Sequence, residues 1–206
     1  KTDCTSGMIK TIIFDLGNVT VKFDDSIMFK KFAAASDKSE AYIKRYHENS
    51  SYRKAFEIGK IKPKEFYSKM AEDLNLKMNF NEFKKAYCGI FTQNKKVESL
   101  IRKLKKNYRL LLLSNTDILH FEYIKNKYKI VNIFDDWVLS YKAGRKKPNP
   151  MIFINALRKA KALPFNCVYI DDIREFVMIA RLMGIKAFQY RNFNKLSKDL
   201  SKLKVL

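Results

Sequence analysis

Several short apolar runs in this chain stop on residues that can do chemistry. TIIF is followed by Asp15, LLL by Ser114, and CVYI by the adjacent pair Asp171 and Asp172. Three carboxylates brought together would offer hard oxygen donors with room left for water and phosphate, which is what Mg2+ prefers. Lys147, placed in a loop after a further apolar run, and the Ser114 hydroxyl would then hold phosphate oxygens. These residues are far apart in the chain, so the chemistry exists only if the fold gathers them.

A parallel α/β sheet does gather them. Short apolar runs alternate with longer helix-patterned segments, the signature of such a sheet. The expected strands are residues 11–14, 110–113, 137–139, 168–170 and 187–189. Their carboxyl ends share one edge, and the crevice where the strand order reverses is where these folds bind ligands. Gly184 sits where a glycine ends an amphipathic helix over residues 173–183, and Pro148-Asn149-Pro150 opens a helix over 151–160. The long segment between the first two strands exceeds any ordinary crossover and has helical periodicity of its own. Pro63 starts a helix carrying Phe66, Met70 and Leu74, and a second face collects Phe80, Phe83, Tyr87, Ile90 and Phe91. The expected organisation is an α/β core from residues 8–20 plus 96–206, interrupted by an all-helical insert over 21–95. Residues 1–7 match no pattern and read as an extension or expression remnant ahead of Met8.

Composition narrows the classes. With 47% hydrophobic residues over 206 positions the chain builds a sizeable core, which excludes a disordered basic tail. No apolar run approaches the roughly 18 residues of a membrane span. Residues 8–14 run straight into Asp15 without a small-residue cleavage site, so they read as a buried strand and not as a signal peptide. Cys4, Cys88 and Cys167 are odd in number and widely spaced, with no neighbouring histidine cluster; the expectation is a reducing, cytoplasmic setting. The net charge of +21 permits anionic partners, but 33 of the 42 basic residues are Lys, and base reading and phosphate clamping favour Arg. The excess is spread over both parts of the chain and reads mostly as a Lys-rich surface. His120 and His47 read as structural, and Trp137 and Cys167 as core.

Four segments together resemble the haloacid dehalogenase-like hydrolases: FDLGNV (residues 14–19), LSNT (113–116), GRKKPNP (144–150) and YIDD (169–172), in the family's order and with its spacing. The insert resembles the helical type-one cap of that superfamily, and FEIGKIKPKEF is similar to a cap segment of its sugar-phosphate phosphatase branch, which includes the phosphatase domain of soluble epoxide hydrolases. The resemblance implies a Rossmann-like core and an Mg2+-dependent phosphatase of a small phosphorylated metabolite. It implies that Asp15 is the nucleophile forming an aspartyl-phosphate and also a metal ligand, with the Gly17 carbonyl, Asp172 and neighbouring Asp171 completing the metal site. Ser114 and the Asn115 backbone would hold the phosphoryl group, and Lys147 would neutralise both phosphate and Asp15. An aspartate is a usable nucleophile once a cation and a lysine keep it ionised and draw charge from the phosphoryl oxygens.

The chain departs from the family pattern twice. The family's general acid stands two residues after the nucleophile, where this chain has Gly17, and motif four often has Asp or Asn where this chain has Phe176. The first loss penalises alkoxide leaving groups and favours anomeric sugar, acyl or aryl phosphates, with a cap residue or water supplying the proton; the second weakens metal binding. Two other functions follow from these readings: hydrolytic dehalogenation of 2-haloacids, with Asp15 attacking carbon, and a catalytically weak protein that binds nucleic acid or an acidic partner through its basic surface. The adjacent carboxylates Asp171 and Asp172 argue against dehalogenation, since they make sense beside Asp15 chiefly with a cation between them.

Overall fold

The computed structural model describes residues 8–206, so the expected extension at residues 1–7, with Cys4, lies outside the described residues. Each of the five expected strands forms, within a residue of its expected ends: β1 (Thr11–Phe14), β4 (Arg109–Ser114), β5 (Asp136–Leu139), β6 (Cys167–Asp171) and β7 (Lys186–Gln189). They pair in parallel in the order β5-β4-β1-β6-β7. The run of apolar residues in β1, β4 and β6 is explained by burial on both faces, as a parallel sheet covered by helices on both sides requires. Alternation still sorts the two faces. Ile12, Phe14, Leu110, Leu112, Val168 and Ile170 belong to one core, together with Leu100 and Ile101 of α6 (Lys95–Leu104), Phe121 of α7 (Ile118–Lys127) and Leu196 of α11 (Phe193–Lys202). Ile13, Leu111, Leu113 and Tyr169 belong to the other, with Phe153 of α9 (Pro150–Ala160) and Val177 of α10 (Arg174–Leu182). A one-turn helix α8 (Ser140–Ala143) follows β5. The chain moves outward from β1 through β4 to β5, then returns to the other side for β6 and β7. The reversal therefore opens a crevice between the carboxyl ends of β1 and β6.

The insert differs from the expectation of an all-helical segment over residues 21–95. Its two ends are short strands, β2 (Val21–Phe23) and β3 (Phe91–Gln93), joined antiparallel through Val21↔Gln93 and Phe23↔Phe91. Three-residue strands are too short to carry an alternation that sequence can reveal, and their partners lie at opposite ends of the insert. For the same reason the expected helical face that included Ile90 and Phe91 is cut short: its helix ends at Cys88 and Phe91 enters β3. Between the strands lie α1 (Ser26–Ala34), α2 (Glu40–Asn49), α3 (Ser51–Glu57), α4 (Pro63–Asp73) and α5 (Phe80–Cys88). They are held by an aromatic core in which Phe56 stacks on Phe66 with ring centroids 4.3 Å apart and Phe83 stacks on both Phe32 and Tyr87. Beyond α3 the insert touches the α/β core directly. Gly59 has φ +72°, and a Cβ there would lie 2.1 Å from the Tyr141 carbonyl oxygen, so backbone seats against backbone at this point.

Candidate active site

Asp15 leaves β1 at the head of the crevice, 7% exposed, and Asp171 ends β6 beside it, fully buried. The Lys147 ammonium lies between them, 2.6 Å from one oxygen of each carboxylate, and donates a further hydrogen bond to the Leu113 carbonyl at 3.1 Å. Its three protons are thus all placed, which is how a 2% exposed lysine keeps its charge. Although burial opposes that charge, Asp15 and Asp171 raise the ammonium above its ordinary value. The remaining face of Lys147 rests 5.0 Å from the centroid of Phe176 and 5.8 Å from that of Tyr169. Phe176 therefore packs beneath the lysine.

Asp171 is saturated by protein. One oxygen accepts from Lys147 and the Tyr169 hydroxyl, and the other from the Ile173 amide at 2.8 Å. Asp172 is more open, accepting from Asn18 Nδ2 at 3.3 Å. Oxygens of Asp15, Asp171 and Asp172 all lie within 4.8 Å of one another, and no hydrogen bond among the described residues ends on the Gly17 carbonyl. Asp15 and Asp172, each with one oxygen bonded to protein and the other open, and that carbonyl are the ligand atoms still available. All are hard oxygens, the donor chemistry a small divalent cation takes.

The same crowding shows in the titration of the carboxylates. Burial pushes Asp15 up to about 7; Lys147 pulls it down, and Asp171 and Asp172 push it up again. Asp172 is raised as well, first by burial and then by Asp171. Because the folded value of Asp15 exceeds its ordinary 3.8, the folded state binds more protons than the unfolded one between about pH 4 and 7, and stability falls as pH rises through that window. In a chelator, the melting temperature is expected to fall from pH 5 to pH 8 by more in the unaltered protein than in Asp15→Asn; equal falls would contradict the site's electrostatics.

Ser114 ends β4, 2% exposed, and opens with Asn115 onto a cavity of about 160 Å³ between core and insert. Here the structure adds a feature that sequence reading missed. The Asn115 side chain grips the Lys147 backbone from both sides, accepting from its amide at 2.7 Å and donating to its carbonyl at 2.9 Å. This holds the loop that aims the lysine at Asp15. Ser114 and Asn115 do not cap the following helix; Asp117 does, through the His120 amide. Of the basic run at 145–147 only Lys147 is buried, while Lys146 pairs with Glu57 of the insert at 2.6 Å and Arg145 stays exposed. His120 stacks on Tyr87 at 4.1 Å with Nδ1 3.1 Å from Asp117, a packed position that also forms part of the cavity wall.

A model of the haloacid dehalogenase-like hydrolase family matches residues 9–181. The chain belongs to this family. It is 27% identical over 193 residues to a D-ribitol-5-phosphate phosphatase of Bacteroides thetaiotaomicron, a match covering 90% of this chain and 93% of the relative. It is 22% identical to a sesquiterpene phosphatase of Aspergillus oryzae, covering 88% and 89%. Among solved structures, a haloacid dehalogenase family enzyme from Bacteroides thetaiotaomicron in complex with magnesium and inorganic phosphate superposes with a TM-score of 0.81 at 24% identity, over 89% of this chain and 94% of that one. The L-2-haloacid dehalogenase of Xanthobacter autotrophicus shares the fold more distantly, at a TM-score of 0.65 and 15% identity over 97% of this chain and 85% of that one.

Within this family member, four residues that sequence reading did not single out complete the surroundings of the site. Tyr169 and Asn18 hold the two carboxylates after β6. Thr20 donates to the Asp15 carbonyl at 2.7 Å. Ser140, fully buried, accepts from the Thr116 amide at 2.9 Å while its hydroxyl faces the carbonyls of Glu57 at 2.7 Å and Thr116 at 2.9 Å. Asn18 and Tyr169 lie inside the first and fourth motifs, but the contacts of Asn18 and Ser140 reach across long sequence separations and leave no local signal.

Proposed function

We propose that this protein is an Mg2+-dependent phosphatase that hydrolyses a small, hydroxylated phosphate monoester through an aspartyl-phosphate on Asp15. The observation that carries the reading is Lys147, buried between Asp15 and Asp171 with Asp172 adjacent: a nucleophilic carboxylate with a fixed cation on one side and free oxygen donors for a second on the other. Dehalogenation at carbon needs no such donors. Mg2+, held by Asp15, Asp172 and the Gly17 carbonyl, supplies the charge that keeps Asp15 ionised and polarises the phosphoryl oxygens. Lys147 holds the nucleophile in place and its charge favours the anionic phosphoryl group, while Asp171 and Tyr169 fix the lysine. Ser114 and the Asn115 backbone bind the remaining oxygens where the cavity meets the sheet. Attack of an Asp15 oxygen on phosphorus expels the alcohol; water then cleaves the acyl phosphate and returns the carboxylate.

Residues 21–95 act as a cap over this centre. The cavity beneath them is walled by Asp25, His47, Arg53 and Glu57, charged and polar groups that suit the hydroxyls of a sugar or polyol phosphate better than a terpenoid chain. The function named for the Bacteroides relative lies in that class. No helix among the described residues is long and apolar enough to cross a membrane. Cys88 and Cys167 are free and buried, in keeping with a reducing, cytoplasmic setting. The basic surface attracts anionic substrates and has no assigned nucleic-acid role.

Phosphate release from sugar, polyol, nucleotide, acyl and aryl phosphates with and without Mg2+ tests this. Turnover that requires Mg2+, with polyol or sugar phosphates among the substrates, is expected. Mg2+-independent chloride release from 2-chloropropionate, or no turnover on any phosphate, would overturn it.

A further inference from the structure

Position 17 of this chain has no side chain, and the structure shows what stands there instead. A Cβ built on Gly17 would lie 3.0 Å from the Phe23 ring of β2, so a side chain at this position would have to displace that ring. Proton delivery to the leaving oxygen must come from elsewhere in the cavity.

Most acid and base groups of the cavity are engaged. Asp117 accepts from the Tyr87 hydroxyl at 2.8 Å with one oxygen and from the His120 amide with the other. Glu57 is tied to Lys146 at 2.6 Å. His120 has Asp117 at one ring nitrogen and the Tyr87 carbonyl at the other, each 3.1 Å away. His47 has an unpartnered Nδ1, but burial and then Arg53 push its ring down to about 3, so at neutral pH it holds no imidazolium proton to give.

Asp25 differs from all of these. It stands at the N-cap of α1, where an aspartate ordinarily accepts from the first-turn amides, yet its carboxyl makes no such bond. The cause is local: its backbone is helical, at φ −63° and ψ −21°, so its side chain does not fold back over the helix start. Asp24 takes over at the helix start, accepting from the Ser26 amide at 3.0 Å. The Asp25 carboxyl is left as part of the wall of the cavity that also holds Gly17 and Ser114, without a hydrogen-bond partner among the described residues. Burial raises it above the usual carboxylate range, against the downward pull of His120 on α7 and Arg53 on α3; Asp24 and Glu48 of α2 add to the rise.

We propose that Asp25 is the catalytic residue that protonates the leaving oxygen, replacing the acid that position 17 lacks. This rests on the phosphatase reading above. As Asp15 bonds to phosphorus and the P–O ester bond breaks, the Asp25 carboxylic acid gives its proton to the departing oxygen, so the product leaves as an alcohol and Asp25 is left as carboxylate. In the second half, water attacks phosphorus, its proton passes to Asp25, and the P–O bond to Asp15 breaks. Phosphate leaves and both residues are restored.

The experiment compares Asp25→Asn with the unaltered protein, both loaded with Mg2+, on ribitol 5-phosphate and on p-nitrophenyl phosphate. A poor leaving group needs the acid and a good one does not. The expected result is a loss of about 10²- to 10⁴-fold in kcat on the polyol phosphate, with kcat on the aryl phosphate changed less than about threefold. Retained aryl turnover also shows that the variant is folded, and Asp24→Asn, which alters the neighbouring helix start and leaves the Asp25 carboxyl in place, should show no such selectivity. Equal losses on both substrates, or a rise in KM with kcat unchanged, would overturn the assignment and leave the phosphatase reading standing. No turnover by the unaltered protein would sink both.

Discussion

Asp15→Asn is expected to abolish Mg2+-dependent phosphate release, by roughly 10⁴-fold or more, while leaving the fold at least as stable as before. Both halves follow from one geometry. The Asp15 carboxylate, held by Lys147 at 2.6 Å, is the group proposed to attack phosphorus, and an amide has neither its charge nor its nucleophilicity. In the metal-free protein, however, the charge is a burden: burial and two neighbouring carboxylates hold Asp15 at about 7. An isosteric amide removes that repulsion and leaves Lys147 its contacts with Asp171 and the Leu113 carbonyl. Steady-state kinetics and chelator-treated melting curves check the two halves separately. A variant that keeps activity would remove Asp15 from the chemistry; one that unfolds would show its carboxylate to be structural.

Lys147→Met has the opposite profile, losing both activity and stability. Removing one member of a buried ion pair costs about 3–5 kcal/mol, because the partner is left buried without compensation. Here two partners are stranded, Asp15 and Asp171, with Asp172 nearby. The loss of melting temperature is therefore expected to be larger in a chelator than in saturating Mg2+, which restores part of the missing positive charge, and larger at pH 8 than at pH 5, where Asp15 takes up a proton instead. Adding Asp171→Asn to Lys147→Met should return much of the stability and none of the activity. Lys147→Met melting like the unaltered protein in a chelator would mean that the ammonium is not the counter-charge of this site. Arg is not a substitute, since its planar fork cannot occupy the compact point between two carboxylates and a carbonyl.

These expectations show why part of the molecule was legible from its residues. β1, β4 and β6 are continuous apolar runs because both faces of a parallel sheet are covered, and each run ends on a polar residue at the sheet's carboxyl edge. The chemistry sits at those ends, so the strand limits and the site residues Asp15, Ser114, Asp171 and Asp172 were found by one pattern. The helix from Pro63 was equally plain, with proline in its first turn and apolar residues on one face.

What could not be read depends on partners distant in sequence. The β2–β3 pairing joins the two ends of the insert, and Phe91 obeys it against the helical pattern that precedes it. Phe176 looked like a lost ligand position and lies under the Lys147 ammonium. Asn115 looked like a phosphate contact through its backbone and uses its side chain to hold the Lys147 loop. Nothing in the sequence separates Asp25 from Asp24; the backbone angle at the helix start separates the one that caps from the one on the cavity wall. By itself the sequence determined the alternation of strands and helices and the residue types at the strand ends, because burial and chain direction are written locally. Only tertiary structure decided which carboxylates are saturated and which are free to bind or transfer, because a hydrogen bond is satisfied by whatever the fold brings within reach.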